Sequence, residues 1–117
     1  MSTKGAEQGT RFIPLADADA LEKLFKLSHS KPVVIFKHST TCPISSAAYQ
    51  EMSQYGGDIS LLVVQSAREL SRAVETRTGV RHESPQALVL RNGQAVWNAS
   101  HWKIRRDTVE RAVRENE

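Results

Sequence analysis

At 117 residues the chain is long enough for one domain with a real hydrophobic core, and no second domain fits beside it. Hydrophobic residues make up 39% and charged residues 25%, a balance that excludes a disordered or a membrane-spanning chain. A net charge of +3 suits anionic ligands but is too small to argue for nucleic acid, and one cysteine excludes an intramolecular disulfide.

Residues 1–10 are polar and lack the apolar segment of a signal peptide, so a flexible lead-in is expected there. No later stretch approaches the ~18 apolar residues of a membrane span, and a reducing cytoplasm is the expected location. Phe12-Ile13-Pro14-Leu15 reads as a short strand that its proline confines to an edge or an end. Asp17 or Asp19 can cap a helix with Leu21, Leu24 and Phe25 on its inward face, and Ser28 to Pro32 ends it.

Val33-Val34-Ile35-Phe36 is a continuous apolar run rich in β-branched residues, the pattern of a strand covered on both faces and therefore central. After Lys37-His38-Ser39-Thr40-Thr41 comes Cys42, then Pro43 and the helical spacing of Ile44, Ala48, Met52 and Tyr55. Proline suits the first helical turn, where its missing N–H has no partner to lose. Cys42 thus stands where a buried strand turns into a helix. The unpaired N–H groups and dipole of a helix N-terminus favour the thiolate, which is the nucleophilic form. No Asp or Glu lies between Glu22 and Glu51 to oppose that charge. The competing reading, a small buried hydrophobe, describes many lone cysteines but does not account for this strand, cysteine, proline and helix order.

Gly56-Gly57 supplies a helix end, and Ile59 to Val64 is a second buried strand. Ser66-Ala67-Arg68-Glu69 has capping-box spacing ahead of a helix with Leu70, Ala73 and Val74 inward. Ala87 to Leu90 and Gln94 to Trp97 flank Asn92-Gly93, the signature of a β-hairpin with a type I′ turn. Ile104 to Arg114 closes the chain as a helix with Val109, Ala112 and Val113 inward and Arg105, Arg106, Arg111 and Arg114 exposed. The order β-α-β-α-β-α-β-β-α predicts an α/β fold with a central mixed sheet and helices on both faces, spanning residues 1–117 as one domain. The acidic residues among the final arginines make that helix a solvated face rather than a nucleic-acid surface.

Cys42-Pro43-Ile44-Ser45 resembles the C-x-x-C active site of thioredoxin-like proteins, with serine in place of the second cysteine. Thr41-Cys42-Pro43-Ile44-Ser45 is similar to the T-C-P-I-S motif of the YtxJ-like monothiol bacilliredoxins, and the similarity extends over nearly the whole chain. The resemblance implies a thioredoxin-like fold and a monothiol thiol-disulfide oxidoreductase. Cys42 would be the nucleophile, and Thr41, Pro43, Ile44 and Ser45 would shape its site. It also implies that Pro85 is cis beside the nucleophile, that Ser84 offers its backbone to a substrate chain, and that His82 and Glu83 lie near the pocket. Two roles stay open for Ser45: a hydrogen bond to the thiolate, or help in capping the helix.

The reaction so implied removes a low-molecular-weight thiol, bacillithiol, from S-thiolated cytosolic proteins. The small thiol is expected as a co-substrate, with no bound cofactor, and a monomer is expected although the sequence leaves the oligomeric state open. Bacillithiol carries a malate, so Lys37, His38 and Arg81 are expected on a basic rim. No metal is expected, because His29, His38, His82 and His101 lack zinc-site spacing. The alternative is a redox-inert thioredoxin-fold binding module, or a redox sensor without turnover.

Overall fold

Alternation along one buried strand decides which side of the molecule each helix occupies. The computed structural model describes residues 9–117, in the order β1 (Arg11–Pro14), α1 (Ala18–Leu27), β2 (Val33–His38), α2 (Pro43–Met52), β3 (Asp58–Val63), α3 (Arg68–Thr78), β4 (Gln86–Arg91), β5 (Gln94–Ser100) and α4 (Arg106–Glu115). Short 3₁₀ turns at Val64–Ser66 and His101–Lys103 precede α3 and α4. The strands form one sheet in the order β1-β3-β2-β4-β5, parallel across β1, β3 and β2 and antiparallel across β2, β4 and β5. β2 is the central strand, as its apolar run predicts.

Successive side chains of a strand point to opposite faces. On β2, Val33 and Ile35 meet Leu21 and Phe25 of α1 and Leu70 and Val74 of α3 in one core. Val34 and Phe36 meet Ala48 and Met52 of α2 and Val109 and Ala112 of α4 in the other. The same alternation carries Lys37 toward α3 and His38 toward α2.

Several local expectations hold in detail. Asp17 caps α1, its Oδ1 accepting from Ala20 N at 2.8 Å. Asn92 and Gly93 have φ of 56° and 77°, as a type I′ hairpin turn requires. Pro14 ends the edge strand β1, and the four arginines named near the C-terminus are exposed.

Others are corrected. The capping box at Ser66 does not form: Ser66 belongs to the 3₁₀ turn, Ala67 occupies the N-cap, and no side chain caps α3. The last helix starts at Arg106 rather than Ile104, and its first N–H group is served from α2, Arg106 N donating to Glu51 Oε1 at 2.8 Å. The flexible lead-in over residues 1–10 lies largely outside the described residues. Its last residue, Thr10, is tied down by its hydroxyl donating to Met52 O and accepting from Gly56 N.

Candidate active site

Cys42 is the N-cap residue of α2, with extended backbone (φ −104°, ψ 123°) and Pro43 following as the first helical residue. The residue is partly exposed and its side chain makes no capping hydrogen bond. The chain reaches it from β2 through Ser39-Thr40-Thr41, a loop fixed from two directions. Gln65, in the 3₁₀ turn after β3, accepts from Thr40 N at 3.3 Å and donates through Nε2 to Ser39 Oγ at 2.8 Å and Thr41 Oγ1 at 3.2 Å. From below, Ser39 N donates to Ser45 Oγ at 2.9 Å.

Ser45 is fully buried and points back into the molecule. Its Oγ lies 2.7 Å from His38 Nδ1. Ser39 N–H already uses the hydroxyl as acceptor, and the hydroxyl proton has no other acceptor among the described residues, so it donates to a neutral His38. Burial pushes the His38 pKa below its ordinary value, consistent with that neutral form. The His38 ring lies 5.6 Å from Phe36 and 5.0 Å from Tyr49, centroid to centroid. Neither of the two expected roles for Ser45 describes these bonds: its partners are the loop and β2.

Cys42 opens onto a cleft of about 590 Å³ lined also by Gln65, Arg68, Arg72, Glu75, His82 and Ser84. The Ser84–Pro85 peptide bond is cis, as the resemblance implies. Pro85 itself is buried and its carbonyl accepts from His101 N at 3.1 Å. Ser84 Oγ is buried and has no partner among the described residues.

Lys37 and His38, expected on a basic rim, do not line this cleft. Lys37 is the clearest correction, with no exposed surface at all. The cause is the pleat of β2, which aims it under α3. There its Nζ lies 3.2 Å from His82 Nδ1, and Ser71 Oγ lies 2.9 Å from the same nitrogen. The Lys37 ammonium can only donate, so Nδ1 is its acceptor on a neutral His82, with Ser71 Oγ beside the same lone pair; the His82 pKa is lowered by burial first and by the Lys37 charge second. Desolvation lowers the Lys37 pKa from 10.5 to about 8, against the opposing pull of Glu75. Arg81 is exposed but does not line the cleft, and Glu83 lines another depression with His101 and Trp102.

The sequence reading did not single out Gln65, Arg68 or Arg72. Arg68 and Arg72 carry a usable signal, since an i, i+4 arginine pair shares one face of a helix whose apolar stripe faces elsewhere. Gln65 carries none, because its role depends on a tertiary contact across 26 residues. Among the described residues no cluster of three metal-ligating side chains occurs, and no helix is long and apolar enough to cross a membrane.

The five-stranded mixed sheet, with a partly exposed cysteine opening the helix after its central strand and a cis-proline loop in the chain, defines a thioredoxin-fold thiol-disulfide oxidoreductase. The sequence matches the model of the monothiol bacilliredoxin BrxC over residues 13–109, and the chain belongs to that family. A solved protein described as an oxidoreductase with a thioredoxin fold is 37% identical, with a TM-score of 0.79 over 86% of this chain and 92% of that one. Thioredoxin NaTrxh from Nicotiana alata superposes with a TM-score of 0.70 at 16% identity, covering 92% of this chain and 94% of its own. The thioredoxin of Trypanosoma brucei brucei gives 0.71 at 8% identity, covering 90% and 89%. The last two likenesses concern the fold alone.

Proposed function

We propose that this protein removes a low-molecular-weight thiol, bacillithiol, from mixed disulfides on cytosolic proteins. The Cys42 thiolate attacks the sulfur of the small thiol. A new disulfide joins Cys42 to that thiol as the old S–S bond breaks, and the target cysteine leaves with the electron pair as a thiolate. Cys42 is oxidised and the target cysteine reduced. A second, external thiol then attacks the adduct and returns Cys42 to the thiolate.

The observation that carries this reading is the fate of position 45. In a dithiol enzyme the third residue after the nucleophile is the resolving cysteine, whereas Ser45 is a buried hydroxyl bonded to Ser39 N and His38 Nδ1. Cys42 is the only sulfur nucleophile in the chain, so an adduct on it persists until an outside thiol arrives. Thr41, Pro43 and Ile44 shape the approach to it. Ser84, before the cis bond in the same cleft, would offer its backbone to the polypeptide half of the substrate.

The test exposes the reduced protein to a bacillithiolated and a glutathionylated substrate in parallel and weighs all species intact. Transfer of bacillithiol to Cys42 with release of the target thiol is the expected result. Transfer of glutathione as readily would replace the specific assignment with a general monothiol one, and transfer of neither would refute it.

A further inference from the structure

We infer that the face of α3 bearing Arg68 and Arg72 is a carboxylate subsite, which holds the small-thiol half of the disulfide that Cys42 attacks. The inference rests on the exchange reading above and identifies how one of its two substrates is recognised. Both side chains line the cleft onto which Cys42 opens. Four residues apart on one helix, they project from the same face, while Leu70 and Val74 turn into the core.

The pair is exposed, and neither arginine has a carboxylate partner among the described residues. Arg77 on the same helix shows the contrast, its Nη1 lying 2.7 Å from Glu22 Oε1. The cleft's own acid, Glu75, is already engaged: its Oε2 accepts from His82 N at 3.1 Å, and it interacts with the buried Lys37. Thr41, Ser39 and Gln65 complete that side with neutral groups. A guanidinium presents a planar fork that matches a carboxylate in two parallel hydrogen bonds, and two forks a helical turn apart suit a thiol carrying two carboxylates. The ligand class is therefore a small thiol with one or more carboxylates, seated along α3. The wall formed by Ser84 is left to the polypeptide.

The test measures formation of the Cys42 adduct by the full chain with three small disulfides: anionic dithiobis(nitrobenzoate), neutral dithiodipyridine and cationic cystamine. In each reaction the thiolate forms one S–S bond as another breaks, and the departing half carries away the electron pair as a thiolate. Arg68→Gln with Arg72→Gln is expected to slow the anionic reagent about tenfold at low salt while changing the neutral one less than about twofold. Cystamine should react faster than before. Arg111→Gln with Arg114→Gln removes the same charge outside this cleft and should leave all three rates alone. Equal losses with all three reagents, an equal effect from the control pair, or no change would each overturn the subsite. Absence of any adduct on the unmodified protein would instead overturn the exchange reading, and the subsite with it.

Discussion

Ser45 Oγ lies 2.7 Å from His38 Nδ1 and 2.9 Å from the amide nitrogen of Ser39, so one hydroxyl joins the first turn of α2 to the end of β2 and to the loop that delivers Cys42. Serine here is thus a structural part of the monothiol site, and not merely a cysteine with its sulfur missing.

Ser45→Ala leaves the Ser39 N–H and the His38 nitrogen, both half-buried, without their partner. A loss of about 2 kcal/mol in denaturant unfolding is expected. The His38 pKa, followed by NMR of its ring protons, should also change, because the hydroxyl that donates to its Nδ1 has gone. An unchanged titration would mean that the serine and histidine do not interact in solution.

Cys42→Ser separates chemistry from architecture. The thiol makes no capping bond, and serine is a preferred N-cap residue, so stability should stay level or rise by up to about 1 kcal/mol. Adduct formation and thiol transfer should both vanish. A variant that still promoted transfer would place the chemistry elsewhere.

Gln65→Ala removes all three bonds that hold Ser39, Thr40 and Thr41 from the β3 side. Because these bonds are exposed, the stability loss should be small, about 1 kcal/mol. The more telling measurement is the alkylation rate of Cys42, which should fall several-fold as the loop before it gains freedom. The rate should not fall if Pro43 and α2 alone position the sulfur.

The legible and illegible parts of this molecule divide along a physical line. Periodicity located every strand and helix, because Val33 to Phe36 and the stripes of the flanking helices record burial directly in the chain. The cysteine's place at a helix start was equally plain, since Pro43 and the preceding strand are its sequence neighbours. The seat of Lys37 is not legible in the sequence, because a lysine next to an active-site loop ordinarily reads as solvated. Only the finished sheet shows that its face of β2 is roofed by α3. The Gln65 clamp and the seat of Ser45 are likewise set by side chains meeting across the fold, with no periodic trace.

Lys37 itself makes a pH prediction of definite sign. Burial lowers its pKa from 10.5 to about 8 in the folded protein, whereas the unfolded chain keeps the higher value. Between these values the unfolded chain binds more protons, so raising the pH favours the folded state. Below about pH 8 lysine is protonated in both states, and the folded protein carries the full penalty, about 3 kcal/mol by the usual conversion. About 2 kcal/mol of it should be recovered between about pH 7 and about pH 9.5. The comparison stays below pH 10 because Tyr55, whose pKa is raised by burial and by nearby Glu110, Glu117 and Asp58, works in the opposite sense above it. Lys37→Met fills the same buried space without a titrating group. Unfolding curves across that range should show the wild-type protein gaining stability relative to the methionine variant, which should be the more stable of the two at pH 7. Parallel profiles would mean that Lys37 is hydrated in solution, and a methionine variant less stable at pH 7 would mean that its bond to His82 outweighs its desolvation.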